Sequence, residues 1–302
     1  MTPPLVSVIV LHWRNDAATR RCLAQLHALD YPNLRILVAD NGSHDGRFWR
    51  LAYDFPAIET LEYATNRGFA AGVNPAIRRA REYGSALVWL VNNDVTLLPD
   101  TLTRLVERWQ QSPGLGVLAP CQSFAHCPGK PSGYGVRLRQ YDIELIGWHT
   151  PVPIAPNTPI IPLDAVFAAA VLIDCRVFAQ AGLFDERFFF YYEDIEFCQR
   201  ARRAGFGVAY APDIAIEHAF AASVSRVAGL REFYLARSRQ IFFRLQHRNL
   251  GRLSYTLHEL PHLVRYLISK MRAGSPADVL GYLVGALLGL TMPPPPGGAP
   301  SQ

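Results

Sequence analysis

Over roughly its first 120 residues the chain alternates short β-branched runs with longer stretches whose apolar residues recur at helical spacing, and this alternation narrows the fold more than any other feature. Neighbouring parallel strands need a crossover, usually a helix, so the pattern predicts βαβ units feeding a mainly parallel sheet. Strands are expected at residues 6–11, 34–39, 58–63, 86–91 and 116–119, and helices at 17–29, 69–83 and 100–110, with a turn at 30–33. From Pro120 to Pro162 proline and glycine accumulate and periodicity fades, which reads as loops and short antiparallel strands. Helical spacing returns at 174–181 and 193–204, a short strand follows at 207–210, and beyond Ser225 the chain reads as helical. The proline-rich end at 293–298 reads as a disordered tail.

Composition removes several classes. A chain of 302 residues, 50% hydrophobic and 18% charged, has enough apolar content for a sizeable core and is neither fibrous nor disordered. A net charge of +5 is too modest to imply a nucleic acid partner. The five cysteines are scattered without zinc-knuckle or redox spacing, and the Cys121, His126 and Cys127 grouping is not read as a metal site. The chain enters its first strand without a basic, apolar leader, so a reduced cytosolic setting is expected. Residues 279–290 form the longest apolar run near the end, about 12 residues against the ~20 needed to cross a bilayer.

Several clusters carry chemistry. The first strand is followed by His12-Trp-Arg-Asn-Asp16, which lacks the glycines of a dinucleotide fingerprint or P-loop. The second ends in Asp40-Asn41-Gly42-Ser43, at the carboxyl edge where open α/β sheets bind ligands. Asp40 suits the ring N–H of a uracil or thymine, and equally an Asx turn before the next helix. Asn66-Arg67-Gly68 opens a helix that runs through Gly72 and Asn74, with glycines for close approach and a fixed cation. Asn92-Asn93-Asp94 puts an acid at a strand tip, where a divalent cation can bridge phosphates. In the block from Gly182 to Gly205, six aromatic residues lead into Glu193, Asp194 and Glu196 at a helix start. Apolar surroundings raise a carboxylate pKa while the helix N-terminus favours the anion, and those opposing influences suit a general base. His218 ends a short apolar segment, and a partner across the site such as Asp94 would make it a ligand.

Taken in order, these segments resemble the bacterial family 2 inverting glycosyltransferases of the GT-A fold, in the rhamnosyltransferase-like branch. The likeness runs from about residue 6 to 239. It rests on Ser7-Val-Ile-Val, Asp40-Asn-Gly-Ser-x-Asp45, Asn66-x-Gly-Phe-Ala-x-Gly-x-Asn74, Asn93-Asp94 and Phe184-Asp-Glu-x-Phe-Phe-x-Tyr-x-Glu-Asp194. It implies a Rossmann-like, mixed but mainly parallel α/β sheet flanked by helices. Asp40 would read the pyrimidine, and Asn41, Asn66, Arg67, Gly68, Asn74 and Asn93 would form the donor-nucleotide site. Asp94 would hold Mg²⁺ or Mn²⁺ with His218, and Asp194 would be the catalytic base beside the site-shaping acid Glu193. Two positions depart from the pattern: Asn92 replaces the first acid of the DxD-type motif, and Arg237 is followed by Ser238 where an Arg-Asn pair is common.

The expected organisation is a catalytic domain at 1–225, with a nucleotide-binding half at 1–120 and an acceptor half at 121–225. A helical region at 226–292 and the tail at 293–302 follow. Between Ala201 and Arg272 twelve basic residues face four acidic ones, and Leu253, Leu257, Leu260, Val264, Leu267 and Met271 recur at helical spacing. Pro261 is expected to kink or break that helix. With Gly281, Gly285 and Gly289 this reads either as a surface resting on the anionic inner leaflet or as ordinary packing onto the catalytic domain. The function expected is sugar transfer from a nucleotide-diphosphate donor, dTDP-L-rhamnose first, to a saccharide or lipid-linked acceptor. A metal-dependent nucleotidyltransferase and a non-catalytic nucleotide-sugar scaffold are the alternatives.

Overall fold

The computed structural model describes residues 2–124, 135–147, 158–219, 227–247, 249 and 252–291. His126, Cys127, the segment joining the two expected domains at 220–226, and the tail from 292 on lie outside the described residues.

The nucleotide half follows the expected alternation. β1 (Val6–His12), α1 (Asp16–His27), β2 (Leu34–Asp40), α2 (Phe48–Asp54), β3 (Ile58–Glu62), α3 (Gly68–Glu82), β4 (Leu87–Asn92), the two-residue β5 (Val95–Thr96), α4 (Thr101–Gln110) and β6 (Leu115–Phe124) occur in that order. A hairpin of β7 (Gly135–Leu138) and β8 (Ile143–Ile146) leads to β9 (Ile161–Pro162), β10 (Ala170–Asp174), α5 (Cys175–Ala181), α6 (Glu193–Arg203) and β11 (Gly207–His218). Three helices close the described chain: α7 (Leu230–Gln246), α8 (Arg252–Arg272) and α9 (Pro276–Thr291).

The main sheet has the order β3-β2-β1-β4-β10-β6-β11-β5, with β9 beside β11. β3, β2, β1 and β4 are parallel; β10 runs antiparallel between β4 and β6, and β6 and β11 are again parallel. Both faces of the sheet are covered, so central strands such as β1 and β4 are buried along nearly their whole length. That double burial is why they read as continuous apolar runs.

Four elements depart from the sequence expectation. β10 is a strand that the pattern did not indicate, because its five fully buried residues Ala-Val-Leu-Ile-Asp carry no polar alternation. β11 extends eight residues past Tyr210 to His218, with an irregularity between Ala211 and Ala215 that accommodates Pro212. α8 is not broken at Pro261: the carbonyl that loses its partner belongs to Leu257, which stands on the same exposed face, where water can satisfy it. The short α2 was also without a sequence signal.

α9 lies against α7 with almost no side chain between them. A Cβ added at Gly281, Gly285 or Gly289 would stand 2.1, 2.1 or 2.5 Å from the carbonyl oxygens of Gly229, Phe233 and Arg237. The four-residue glycine repeat is therefore the groove into which α7 fits. α8 is bound to α7 by Lys270 Nζ donating to Glu232 (2.7 Å) and Arg239 Nε donating to Glu259 (3.1 Å), and to α9 by the Tyr266 ring stacked on Tyr282 at 3.9 Å. Gly285→Leu should therefore cost about 3 kcal/mol of unfolding free energy, the upper end of overpacking penalties, measured by urea denaturation. Leu287→Ala, on the exposed side of α9, should stay within about 0.5 kcal/mol.

Candidate active site

One edge of the sheet collects the strand ends at or beside which Asp40, Asp94 and His218 lie. β1, β2, β4, β6 and β11 end there, at His12, Asp40, Asn92, Phe124 and His218, and the antiparallel β10 begins there at Ala170.

On the β2 side the polar groups mainly organise the chain. Both Asp40 carboxylate oxygens accept from the Ser43 N–H (3.2 Å), and Oδ1 also accepts from the Ser43 hydroxyl (2.5 Å). Arg14, in left-handed backbone at φ 53°, donates its N–H to Ser43 Oγ (2.9 Å) and joins this turn to the loop after β1. The Asx turn is thus formed, although it does not cap α2, whose N-cap is Arg47. Asn41 donates to Asn66 Oδ1 and to the Gly68 carbonyl (both 3.0 Å) and accepts from the Arg67 N–H (2.9 Å). Arg67 itself is exposed, its guanidinium 5.3 Å from the centre of the Tyr63 ring. Gly68, at φ 80°, has no room for a side chain, since a Cβ would stand 2.3 Å from the Phe189 carbonyl oxygen.

Two of the expected nucleotide-site residues make hydrogen bonds within the fold. Asn74 is 1% exposed; its amide donates to the Phe184 carbonyl and to Glu186 (both 2.9 Å) and accepts from the Phe184 N–H (3.1 Å). It fastens α3 to the aromatic block and has no donor left for a ligand. Asn41 is likewise used up within its own loop. Asn93 donates to Thr19 Oγ1 (2.9 Å), which also meets His12 Nδ1 at 2.8 Å. His12 is fully buried, and burial lowers its pKa against the opposing pull of Asp40, Asp45 and Asp16.

Asp94 and His218 are brought together by the pairing of β5 with β11, in which His218 faces Val95. The Ala219 N–H donates to the Asp94 carbonyl (3.0 Å), and Asp94 Oδ1 stands 3.1 Å from His218 Nε2. The Asn92 amide is 3.4 Å from the same nitrogen. Both side chains keep limited solvent contact, 16% for Asp94 and 11% for His218. One carboxylate oxygen and one imidazole nitrogen converging on a point form a donor set that fits a divalent cation, and the imidazole suits Mn²⁺ better than Mg²⁺. Among the described residues no three His, Cys, Asp or Glu side chains are grouped so as to hold a metal. Protein donors here would fill only part of a coordination shell, leaving positions for phosphate oxygens and water.

Across the edge, α6 begins under strain. Tyr191 and Tyr192 both adopt left-handed backbone, at φ 66° and 67°, which costs ~1 kcal/mol or more for each residue with a side chain. Tyr192 supplies no side-chain cap, so the first-turn N–H groups meet carboxylates instead. Asp194 accepts from the Ile195 N–H (2.8 Å) and from the Ala168 N–H (3.2 Å). Ala168 is the functional neighbour that the sequence did not indicate; the run of three alanines at 168–170, small enough to let α6 approach, is its one trace. Asp194 keeps partial solvent access while burial pushes its pKa up to about 6, against the backbone N–H bonds that favour the anion. Glu193, 6% exposed and with Oε2 unpartnered, is raised well above the usual carboxylate range by burial and then by the charge on Asp194. Burial and mutual repulsion thus raise both carboxyls, while the N–H bonds to Asp194 favour its anion. Glu196 turns away, both its oxygens accepting from Arg200 Nε at 2.8 and 2.9 Å.

The two halves are joined through β10. The Asn92 N–H donates to the Ala169 carbonyl (2.8 Å), and the next residue back, Ala168, holds Asp194. A short path of main chain thus links the strand that carries Asp94 to the carboxylate at the start of α6. The departure at Ser238 also has a structural account: its hydroxyl donates to the Phe190 carbonyl (2.8 Å), while Arg237 donates to the Arg187 carbonyl (3.1 Å). α7 in this way holds the aromatic block from behind.

Comparison with known proteins agrees with this architecture. The chain is 26% identical over 246 residues to an N-acetylglucosaminyl-diphospho-decaprenol L-rhamnosyltransferase of Mycobacterium tuberculosis, a match covering 74% of this chain and 78% of that one. It is 24% identical over 205 residues to a low-salt glycan biosynthesis hexosyltransferase of Haloferax volcanii, covering 67% and 63%. Among solved structures, a mannosyltransferase of Pyrobaculum calidifontis in complex with GDP-Man and Mn²⁺ superposes with a TM-score of 0.59 at 18% identity, over 95% of this chain and 84% of that one. S. aureus TarS in complex with UDP gives a TM-score of 0.55 at 15% identity, over 94% and 90%. These neighbours share the GT-A fold. The family profile described as Glycosyltransferase like family 2 matches residues 3–233, and the chain belongs to that family.

Proposed function

We propose that this glycosyltransferase is an inverting, cation-assisted enzyme that moves a hexose, L-rhamnose from dTDP-L-rhamnose in the first instance, onto a saccharide or polyprenyl-diphosphate-linked acceptor. The observation that carries the reading is the partly exposed Asp194 carboxylate, raised by burial, held by the N–H of Ala168 and joined through Ala169 to the strand bearing Asp94. The choice of sugar and acceptor is supported by the name of the mycobacterial relative. Residues 1–225 would form the catalytic domain and 226–292 a helical region behind it, working at the inner face of the cytoplasmic membrane where a polyprenyl-linked acceptor would lie.

In this mechanism the donor base lies beside Asp40 and the loop of Asn66, Arg67 and Gly68, with Arg67 offering a cation to the phosphates. Asp94 and His218 would hold Mn²⁺ or Mg²⁺, which offsets the charge gathering on the departing diphosphate. Asp194 takes the proton from an acceptor hydroxyl. The hydroxyl oxygen forms its bond to the anomeric carbon on the face opposite the diphosphate, the carbon–oxygen bond to the diphosphate breaks, and the configuration inverts. Glu193, raised by burial and by the charge on Asp194 beside it, shapes the site without taking the proton.

Three outcomes test the reading. Asp194→Asn should lower turnover by about 10²- to 10⁴-fold while leaving the donor-induced rise in Tm intact; near-normal turnover would remove Asp194 as base. In wild type, kcat/KM should fall about tenfold per pH unit below about pH 6, because the base works only without its proton and Asp194 gains one there. That acid limb should persist in Glu193→Gln. In a thermal-shift assay, dTDP-L-rhamnose with Mn²⁺ should stabilise the protein more than either alone, and His218→Ala should raise the Mn²⁺ concentration needed by about 10-fold or more. Donor hydrolysis that Mn²⁺ does not stimulate would favour a non-catalytic binder.

A further inference from the structure

The helices behind the site carry an apolar surface that the fold does not use. On α8, Leu257, Leu260, Val264, Ile268 and Met271 are all exposed, and at 3.6 residues per turn they fall within an arc of about 80°. On α9, Leu280, Leu283, Val284, Leu287 and Leu288 are exposed, on the side opposite the glycine groove and Tyr282 that face α7. The buried sides of the two helices meet through Leu263, Tyr266 and Leu267 against Tyr282 and Ala286. Ten of the fifteen large hydrophobic side chains exposed among the described residues therefore stand on these two helices. Soluble monomers seldom expose so much clustered apolar area without a use for it.

Charge indicates the occupant. Arg265 and Arg272 are exposed and lie seven residues apart along one border of the α8 stripe. The acids of the two helices are already engaged: Glu259 is buried against Arg239, and Asp278 stands 3.4 Å from Lys270. An apolar face edged by unopposed arginines complements an anionic lipid headgroup layer over an acyl boundary. Against a second copy of this chain, the same arginines would confront their own kind. No helix of the described residues is long and apolar enough to cross a membrane, so the fitting mode is one of lying in the interface.

We propose that the α8–α9 face is a docking surface for an anionic bilayer, entered by Leu257, Leu260, Val264, Ile268 and Met271 of α8 together with the leucines of α9. The surface is one helix away from the reaction centre. α9 packs on α7, and α7 holds the segment leading to Asp194 through Ser238 on the Phe190 carbonyl and the Tyr234 ring stacked on Phe189 at 4.8 Å. Docking would present the aromatic block to substrates embedded in the leaflet. That consequence rests on the function proposed above, whereas the surface itself does not.

The test is co-sedimentation of the full chain with vesicles of phosphatidylglycerol and phosphatidylcholine, against vesicles of phosphatidylcholine alone. Wild type should partition onto the anionic vesicles and be released by salt. Arg265→Gln with Arg272→Gln should weaken partitioning about 30-fold. Ile268→Asn with Leu287→Asn should weaken it about 10-fold or more. Both variants should keep the donor-induced rise in Tm, which shows that they fold. Failure of wild type to bind anionic vesicles, or binding by both variants as tight as that of wild type, overturns the proposal. So does a dimer in sedimentation velocity that Leu287→Asn converts to monomer. Loss of the donor response with vesicle binding intact would instead count against the proposed reaction and leave the surface standing.

Discussion

Burying two adjacent carboxylates at the start of one helix is the constraint around which this protein is arranged. Taking Glu193 and Asp194 out of water together raises both carboxyls and disfavours a second negative charge beside the first. Their partners are unequal: Asp194 accepts N–H bonds from Ile195 and Ala168, which favour its anion, while Glu193 Oε2 has none. This requires the main chain at Ala168 to sit where the helix begins, and hence a strand running against its neighbours between β4 and β6. The antiparallel β10 is what places a backbone N–H at an edge otherwise made of strand ends.

Such an arrangement is costly to hold, and the C-terminal helices help hold it. Two consecutive tyrosines in left-handed backbone persist only when their surroundings leave them no alternative. Those surroundings are Gly68 pressed against Phe189, Asn74 clasping Phe184, and Ser238 bonded to Phe190. α7 is in turn fixed by the glycine face of α9 and by the ion pairs of its Glu232 and Arg239 with Lys270 and Glu259 of α8. The helical region is therefore mechanically continuous with the start of α6 and Asp194, so the bilayer surface proposed on α8 and α9 would bear directly on the proposed base.

Much of this was legible beforehand, and what was not has physical reasons. The parallel half showed itself because doubly buried strands read as unbroken apolar runs separated by amphipathic helices. The acids at 94 and 194 were visible because strand tips and helix starts are marked by abrupt changes from apolar to polar. β10 escaped because a short buried strand and a buried helical turn look alike without alternation, and β11 looked shorter than it is because Pro212 sits where the ladder is already irregular. The internal hydrogen bonds of Asn41 and Asn74 were not legible, because an amide that clasps its own backbone and one that clasps a nucleotide are the same residue in a list of letters.

The sequence by itself determined the layered α/β plan, the family to which the chain belongs and the places where acids fall at the sheet's edge, since all of these follow from local periodicity and the order of short motifs. Only the tertiary structure decided that Asp94 meets His218, that Ala168 holds Asp194, and that ten apolar side chains of α8 and α9 face outward. Each of these depends on contacts between segments far apart in the chain: a strand pairing, an antiparallel insertion, a backbone-to-backbone helix contact. Spacing along the sequence says which face a residue occupies, but which neighbour covers that face is set by packing.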